Sequence, residues 1–425
     1  MRSTFLYAVV ILLLAGCATL PAVEEDVAEA AAARGSRESI ELIRVQEERI
    51  ARKPFIGGNA VTLLRNGPAT YAAMIAAIKG ARERIDLESY IFDAEEGAKF
   101  ADLLLEKRAQ GLSVNLIYDA WGSSETPTEL FDRLKRAGVQ VLEFNPIDPT
   151  GVIDLNKRDH RKLLIVDAAV AILGGVNISR VYENRHGSSS GGDDPDLLPW
   201  RDTDVRIEGP AVADFEDMFL ATWRRLEGPP LPPLPRRTGT PPGDAWVHAI
   251  DGDPDSDHPL IYRTLMTAIT LAQSSIHLTT GYFAPPPDLA RALRQAARRG
   301  VDMRIVVPAL TDSSMTQAAG RGKYAGLMKA GAHIYEREGV VLHAKTAVID
   351  GAWSAVGSSN LDWRSIVFND ESDAVILGAR FGGEMEALFA EDMAGSREID
   401  PRQWSERPFG QRLREWGAGL WEFML

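Results

Sequence analysis

Disulfide bonding within the chain is excluded, because its 425 residues include a single cysteine, Cys17. Apolar runs are short as well: the N-terminal one, Phe5 to Leu14, falls below the ~20 residues that a spanning helix needs. Positive charge is in deficit. Against 60 Asp and Glu stand 47 Lys and Arg, for a net charge of −13, so the chain as a whole is not drawn to nucleic acid or to an anionic bilayer. A local basic site stays open, since net charge says nothing about a pocket. What is present, 45% hydrophobic and 25% charged residues, is the composition of a folded protein rather than a disordered one. The length suits two or three domains.

The start reads as a targeting segment. Arg2 precedes the apolar run, and Leu14-Ala15-Gly16-Cys17 closes it. That ending resembles a bacterial lipoprotein signal, with residues 1–16 removed and Cys17 lipidated. Acyl burial yields ~0.8 kcal/mol per CH2, and two chains suffice for stable anchoring. The alternative is an ordinary cleaved signal peptide or a short uncleaved anchor. Residues 17–54 are then expected as a helical spacer. The expected location is the bacterial cell envelope, facing the periplasm; Ala18 lacks the aspartate that retains some lipoproteins in the inner membrane, which leaves the choice of membrane open.

The remainder repeats itself. "TYAAMIAAIKGARERIDLESYIF" (70–92) lies without a gap against "IYRTLMTAITLAQSSIHLTTGYF" (261–283). Each reads as an amphipathic helix followed by an alternating strand. Two more helix–strand pairs follow in both halves, with Gly111 and Gly300, then Gly138 and Gly331, as helix stops. The order implies α/β layers with a mixed sheet flanked by helices in each half, the halves related by a pseudo-twofold. We expect domains at 55–226 and 245–400, a proline-rich linker at 227–244, a polar insert at 187–199, and an aromatic tail at 401–425. The tail is read as packed over the core, with a membrane-interface surface as the alternative.

Both halves end in one device: "HRKLLIVDAAVAILGGVN" (160–177) and "HAKTAVIDGAWSAVGSSN" (343–360). Alternate side chains of a strand share a face. His160 therefore points with Lys162, and His343 with Lys345. Asp167 and Asp350 sit at the hairpin turns and are expected to be structural. The small residues around Gly175 and Ser358 let the backbone pass close to a ligand, and Asn177 and Asn360 add amide donors. Two imidazoles, two ammonium groups and two carboxamides make a poor metal site and imply no cofactor. They suit a phosphodiester: one neutral imidazole attacks phosphorus while the other, protonated, serves the leaving alkoxide. Such opposite protonation calls for carboxylates. Asp202 and Glu371 follow the two motifs at matched places, with Asp204 and Asp373 as close competitors. His186, His248, His258, His277 and His333 have no such company and read as surface or packing residues.

With its doubled HxK–Asp–Asn pattern and stretches such as "WRDTDVRIEGPAV" and "VGSSNLDWRS", the chain resembles the phospholipase D superfamily from about residue 55 to 400. Within it the chain is most similar to bacterial cardiolipin synthases. The resemblance implies catalysis by His160, Lys162, Asn177, His343, Lys345 and Asn360, with phospholipid substrates: phosphatidylglycerol, and phosphatidylethanolamine as a further donor. We expect transfer of a phosphatidyl group to phosphatidylglycerol by a monomer, with His160 as nucleophile and His343 as acid, though repeat symmetry leaves the reverse open. Hydrolysis to phosphatidic acid, and a non-catalytic lipid-binding envelope lipoprotein, are the alternatives.

Overall fold

The computed structural model describes residues 23–33, 39–146, 156–183, 198–235, 240–254 and 259–422. The signal segment, Cys17, His186, His258 and most of the 187–199 insert lie outside them.

The first half contributes β1 (Ile56–Arg65), β2 (Arg84–Ser89), β3 (Ser113–Asp119), β4 (Gln140–Phe144), β5 (Arg158–Asp159), β6 (Lys162–Val166), β7 (Val170–Gly174), β8 (Trp200–Arg201) and β9 (Thr203–Glu208). From the second come β10 (Ala245–Gly252), β11 (Ser275–Thr280), β12 (Asp302–Pro308), β13 (His333–Arg337), β14 (Val341–Leu342), β15 (Lys345–Ile349), β16 (Trp353–Gly357), β17 (Asn369–Leu377) and β18 (Ser396–Glu398). Hydrogen bonding runs β1-β9-β7-β6-β2-β3-β4 in one half and β10-β17-β16-β15-β11-β12-β13 in the other. The order is the same in both, as the repeat requires. β2-β3-β4 and β11-β12-β13 are parallel, and the other strands of these two runs pair antiparallel. β1 and β10 pair antiparallel and join the halves.

The expected helices form at Asn66–Gly80, Glu96–Ala109 and Thr128–Arg136, and again at Leu260–Leu271, Pro287–Arg298 and Ser314–Ala330. Gly111 and Gly300 end the second helix of each set with φ of 92° and 90°, a left-handed backbone that costs glycine nothing. The helices cover one face of each sheet. On the other face the halves share a core: Ile165, Leu173 and Ile207 of the first and Val247, Val348 and Ile376 of the second belong to one buried cluster with Phe215, Phe219 and Trp223. Full burial of each large apolar side chain is worth ~1.5–3 kcal/mol, so the halves form one body.

The segment expected as a spacer packs into that body. Helices Glu24–Ala33 and Ser39–Ala51 lie on Leu260–Leu271, burying Leu42 and Ile43, and Trp353 Nε1 donates to Glu47 at 2.7 Å. The proline-rich linker is a strap: the Pro229 and Pro232 carbonyls accept from Trp223 Nε1 at 2.9 Å and Arg84 at 2.7 Å. The tail divides. Trp404 packs against Tyr324, ring centroids 5.2 Å apart, but Phe409, Leu413, Trp416 and Leu420 are exposed. Among the described residues no helix is long and apolar enough to cross a membrane.

Candidate active site

β6 and β15 each begin at the lysine of a His-x-Lys motif, and the histidine sits just before it. The hairpin turns that follow carry left-handed residues, Asp167 and Ala168 (φ 53° and 49°) and Asp350 and Gly351 (φ 51° and 65°), the geometry of a type I′ turn. The Asp167 carboxylate accepts from the amides of Arg82, Glu83 and Arg84 at 2.8–2.9 Å. Asp350 does the same for Gln273, Ser274 and Ser275. Each motif aspartate thus staples its hairpin to the start of β2 or β11, at the end of β6 or β15 opposite the lysine.

The two motifs meet at the seam between the halves, and they meet crosswise. β5, leading into His160, pairs in parallel with the start of β17, and the His160 amide donates to the Asp370 carbonyl at 2.9 Å. β14, leading into His343, pairs in parallel with β8, and the His343 amide donates to the Arg201 carbonyl at 2.8 Å. Each histidine is thereby set beside the residue that follows, which is a carboxylate of the opposite half. His160 Nδ1 lies 2.9 Å from Glu371 Oε2; His343 Nδ1 lies 2.7 Å from Asp202 Oδ2. A carboxylate accepts only, so Nδ1 carries the proton and Nε2 is left for substrate. Both sequence candidates are brought to the rings. Asp204 and Asp373 are not; they accept from Val176 N at 3.0 Å and Ser358 N at 3.1 Å and hold the turns.

The small-residue turns serve these carboxylates. A Cβ on Gly175 would collide with Asp202, and one on Gly357 with Asp373. In the structure the missing side chains therefore make room for carboxylate, where the sequence suggested ligand. Ser358 stands at the place of Gly175, and its hydroxyl donates to Glu371 Oε2. Ser365, whose hydroxyl accepts from Asn360 N at 3.1 Å, also opposes the rise that burial imposes on Glu371, and at the matching place stands Tyr182, with its hydroxyl 3.1 Å from His343 Nδ1. The longer carboxylate has two small partners, and the shorter one has a glycine and a large phenol.

Lys162 and Lys345 each fold their ammonium onto the carbonyl of their own histidine, 5.0 Å from the Tyr90 ring and 5.9 Å from the Tyr282 ring respectively. Burial pushes Lys162 down to about 7 and Lys345 down to about 8, against the pull of Glu371 and Asp202. Burial, then the Lys162 and Lys345 charges, hold His160 well below the usual imidazole range, and His343 adds to the effect. His343 is also lowered by burial and Lys345, but Asp202 opposes the shift. Both imidazoles and both ammonium groups therefore act on one another across the seam. Asn177 accepts from Ile91 N and donates to Tyr182 Oη, each at 3.2 Å. Asn360 Oδ1 is buried without a hydrogen-bond partner.

Sequence reasoning missed Tyr90, Tyr182, Trp200 and Tyr282, which wall the rings at centroid distances of 5.0–6.0 Å. It also missed Arg161, buried between the two catalytic candidates of the first motif and donating to the Glu371 carbonyl at 3.1 Å. Of the other histidines within the described residues, His248 packs on Phe55 as expected, while His277 and His333, read as without partners, pair with Glu386 and Glu398.

Residues 74–186 and 265–393 match the family described as cardiolipin synthase, PLD-like domain. The cardiolipin synthase of Geobacillus thermodenitrificans is 33% identical over 374 residues, spanning 86% of this chain and 72% of that one. Cardiolipin synthase A of Pseudomonas aeruginosa is 33% identical over 373 residues, spanning 87% and 73%. Among solved structures, phosphatidylserine synthase of Haemophilus influenzae superposes with a TM-score of 0.69 at 14% identity, over 89% of this chain and all of that one. At that identity the likeness concerns the fold.

Proposed function

The chain belongs to the cardiolipin synthase, PLD-like domain family, and we propose that its paired motifs divide a two-step phosphatidyl transfer between them. It is a phosphatidyltransferase of the phospholipase D superfamily and a membrane-associated bacterial protein. His160 Nε2 attacks the phosphorus of a first phosphatidylglycerol. The bond to the head-group oxygen breaks, and His343 gives that oxygen its proton as glycerol leaves. The phosphatidyl group is then on His160. His343, now neutral, takes the proton of a second phosphatidylglycerol's hydroxyl; that oxygen attacks phosphorus, the P–N bond breaks, and cardiolipin departs. Lys162, Lys345, Asn177 and Asn360 face the nonbridging oxygens and stabilise the charge of the pentavalent state.

The observation that carries this reading is the crossed pairing of the rings: Nδ1 of His160 on Glu371 at 2.9 Å and of His343 on Asp202 at 2.7 Å leave both Nε2 atoms for the phosphorus and the leaving oxygen. Burial lowers both imidazoles; at His343 Asp202 opposes the shift, which suits the acid, and His160, held well below the usual range, suits the nucleophile. Incubation of pure protein with labelled phosphatidylglycerol tests it. Cardiolipin with an equal amount of glycerol is expected. Phosphatidic acid instead would make the enzyme a hydrolase, and activity equal to that of a His160→Ala/His343→Ala double variant would make it a lipid-binding lipoprotein. For the anchor, we read Cys17 as lipidated and the body as facing the periplasm; mass spectrometry finding an unmodified Cys17 in the mature protein would remove that reading.

A further inference from the structure

Helix Phe409–Gly419 is amphipathic with its faces inverted. At ~100° per residue, Phe409, Leu413, Trp416 and Leu420 fall within an arc of about 60°. In a globular protein such a stripe turns to the core. Here it turns to solvent, the four side chains being 76%, 52%, 64% and 55% exposed. The face against the body is polar and small. Glu415 is buried and bonded by Arg407 at 2.7 Å and Gln411 at 2.9 Å, and Ala418 packs on Ala284 and Ala319. Arg412 lies about 40° beyond Trp416 at one margin of the stripe, and Arg414 about 100° beyond Leu413 toward the body; both are exposed, as is Arg402 before the helix.

The position adds a second observation. Ala284, on which the helix rests, comes two residues after Tyr282, whose ring is 5.9 Å from that of His343. Met315, 46% exposed, lines the groove beside Arg414 and Gly417 at the start of the helix that leaves the C-terminal end of β12. Thus an apolar stripe with Arg412 at one margin and Arg414 farther round the helix lies at the end of the sheet where the histidines receive substrate, on a chain whose net charge is −13.

We propose that Phe409–Leu420 is a docking face for the surface of an anionic phospholipid bilayer, seating the catalytic seam over the leaflet that supplies its substrate. The proposal rests on the lipid-transferase reading. Aromatic and aliphatic side chains enter the acyl boundary while arginines meet anionic head groups. A second copy of the chain, or its own N-terminal apolar segment, would cover the same stripe in water, and the test separates these.

The full chain carrying Cys17→Ser and Leu413→Cys is labelled with a nitroxide at residue 413 and mixed with vesicles of phosphatidylcholine, with and without phosphatidylglycerol. With phosphatidylglycerol the label is expected to gain accessibility to oxygen and lose it to an aqueous nickel complex. Arg412→Glu/Arg414→Glu in the same chain should raise the half-saturating lipid concentration about tenfold or more. A label equally open to nickel with and without vesicles overturns the proposal, as does one already shielded in buffer, which marks a protein occupant. Cardiolipin formation on the same vesicles keeps the two readings apart: immersion without synthesis counts against the transferase, synthesis without immersion against this face.

Discussion

Asp202, in the first half of the chain, holds the imidazole of His343, in the second, at 2.7 Å. Glu371 returns the arrangement to His160 at 2.9 Å, so neither motif histidine finds its carboxylate in its own half. The carboxylates fix the Nδ1–H tautomer and present Nε2 to phosphorus. Asp202→Asn and Glu371→Gln preserve shape but remove the charge that enforces the tautomer. Each is expected to lower kcat by about 10^2–10^4-fold with KM near wild type. Steady-state cardiolipin synthesis measures this; a Glu371→Gln enzyme with wild-type kcat would show that the crossed pair is packing.

The unlike residues at matched places, Gly175 and Ser358, predict unlike responses. Gly175→Ser forces a Cβ into the Asp202 carboxylate, which must leave His343, so activity should fall nearly as far as in Asp202→Asn. Ser358→Ala removes one donor to a buried Glu371, a change of ~1–3 kcal/mol, and should cost about 10-fold in kcat while the protein stays folded. Parallel assays and thermal melts check the order. If Gly175→Ser is the milder variant, the close approach does not matter.

Much of this site is legible in the chain because the repeat supplies its own control. A feature that recurs at one spacing, such as His160 with His343 or Asn177 with Asn360, stands out from background. The same comparison hides whatever breaks the symmetry. Tyr182 has Ser365 as its counterpart, so no matched residue flagged it, although it lies 3.1 Å from His343. The crossing of Asp202 and Glu371 was hidden for another reason. It depends on β5 pairing with β17 and β14 with β8, contacts between strands of two residues whose patterning specifies no partner. The helix stops at Gly111 and Gly300, by contrast, are local, and local chemistry sufficed. Packing of residues 39–51 into the second half is a tertiary choice made by Leu42 and Ile43 that composition does not reveal.

The lysines predict the pH response. Burial brings Lys162 down to about 7 and Lys345 to about 8, so each loses its cation as pH rises through those values rather than near the ordinary lysine range. Their attraction for the diester is present at lower pH and lost above. kcat/KM is expected to fall between pH 7 and 9, chiefly through KM. Lys345→Arg, always charged, should flatten the alkaline limb while lowering the maximum, since a guanidinium does not fit the place of an ammonium. A limb unchanged in that variant would assign the loss to Lys162, and one unchanged in Lys162→Arg as well would assign it to neither lysine.

Asp167 and Lys162 stand at the two ends of β6 and should fail in different ways. Asp167 accepts from three backbone amides at the start of β2. Its replacement by alanine leaves those donors without their carboxylate, and ~2–4 kcal/mol of stability should go with it. Lys162 is buried with its ammonium on the His160 carbonyl, and burial already penalises its charge, so Lys162→Met removes a strained cation and should leave the melting temperature equal or higher. Its activity, however, should drop by at least about 10^3-fold, because the charge that meets the phosphate is gone. Melting curves beside initial rates decide the matter. A stable but inactive Asp167→Ala protein would move that aspartate from the frame of the hairpin into the chemistry.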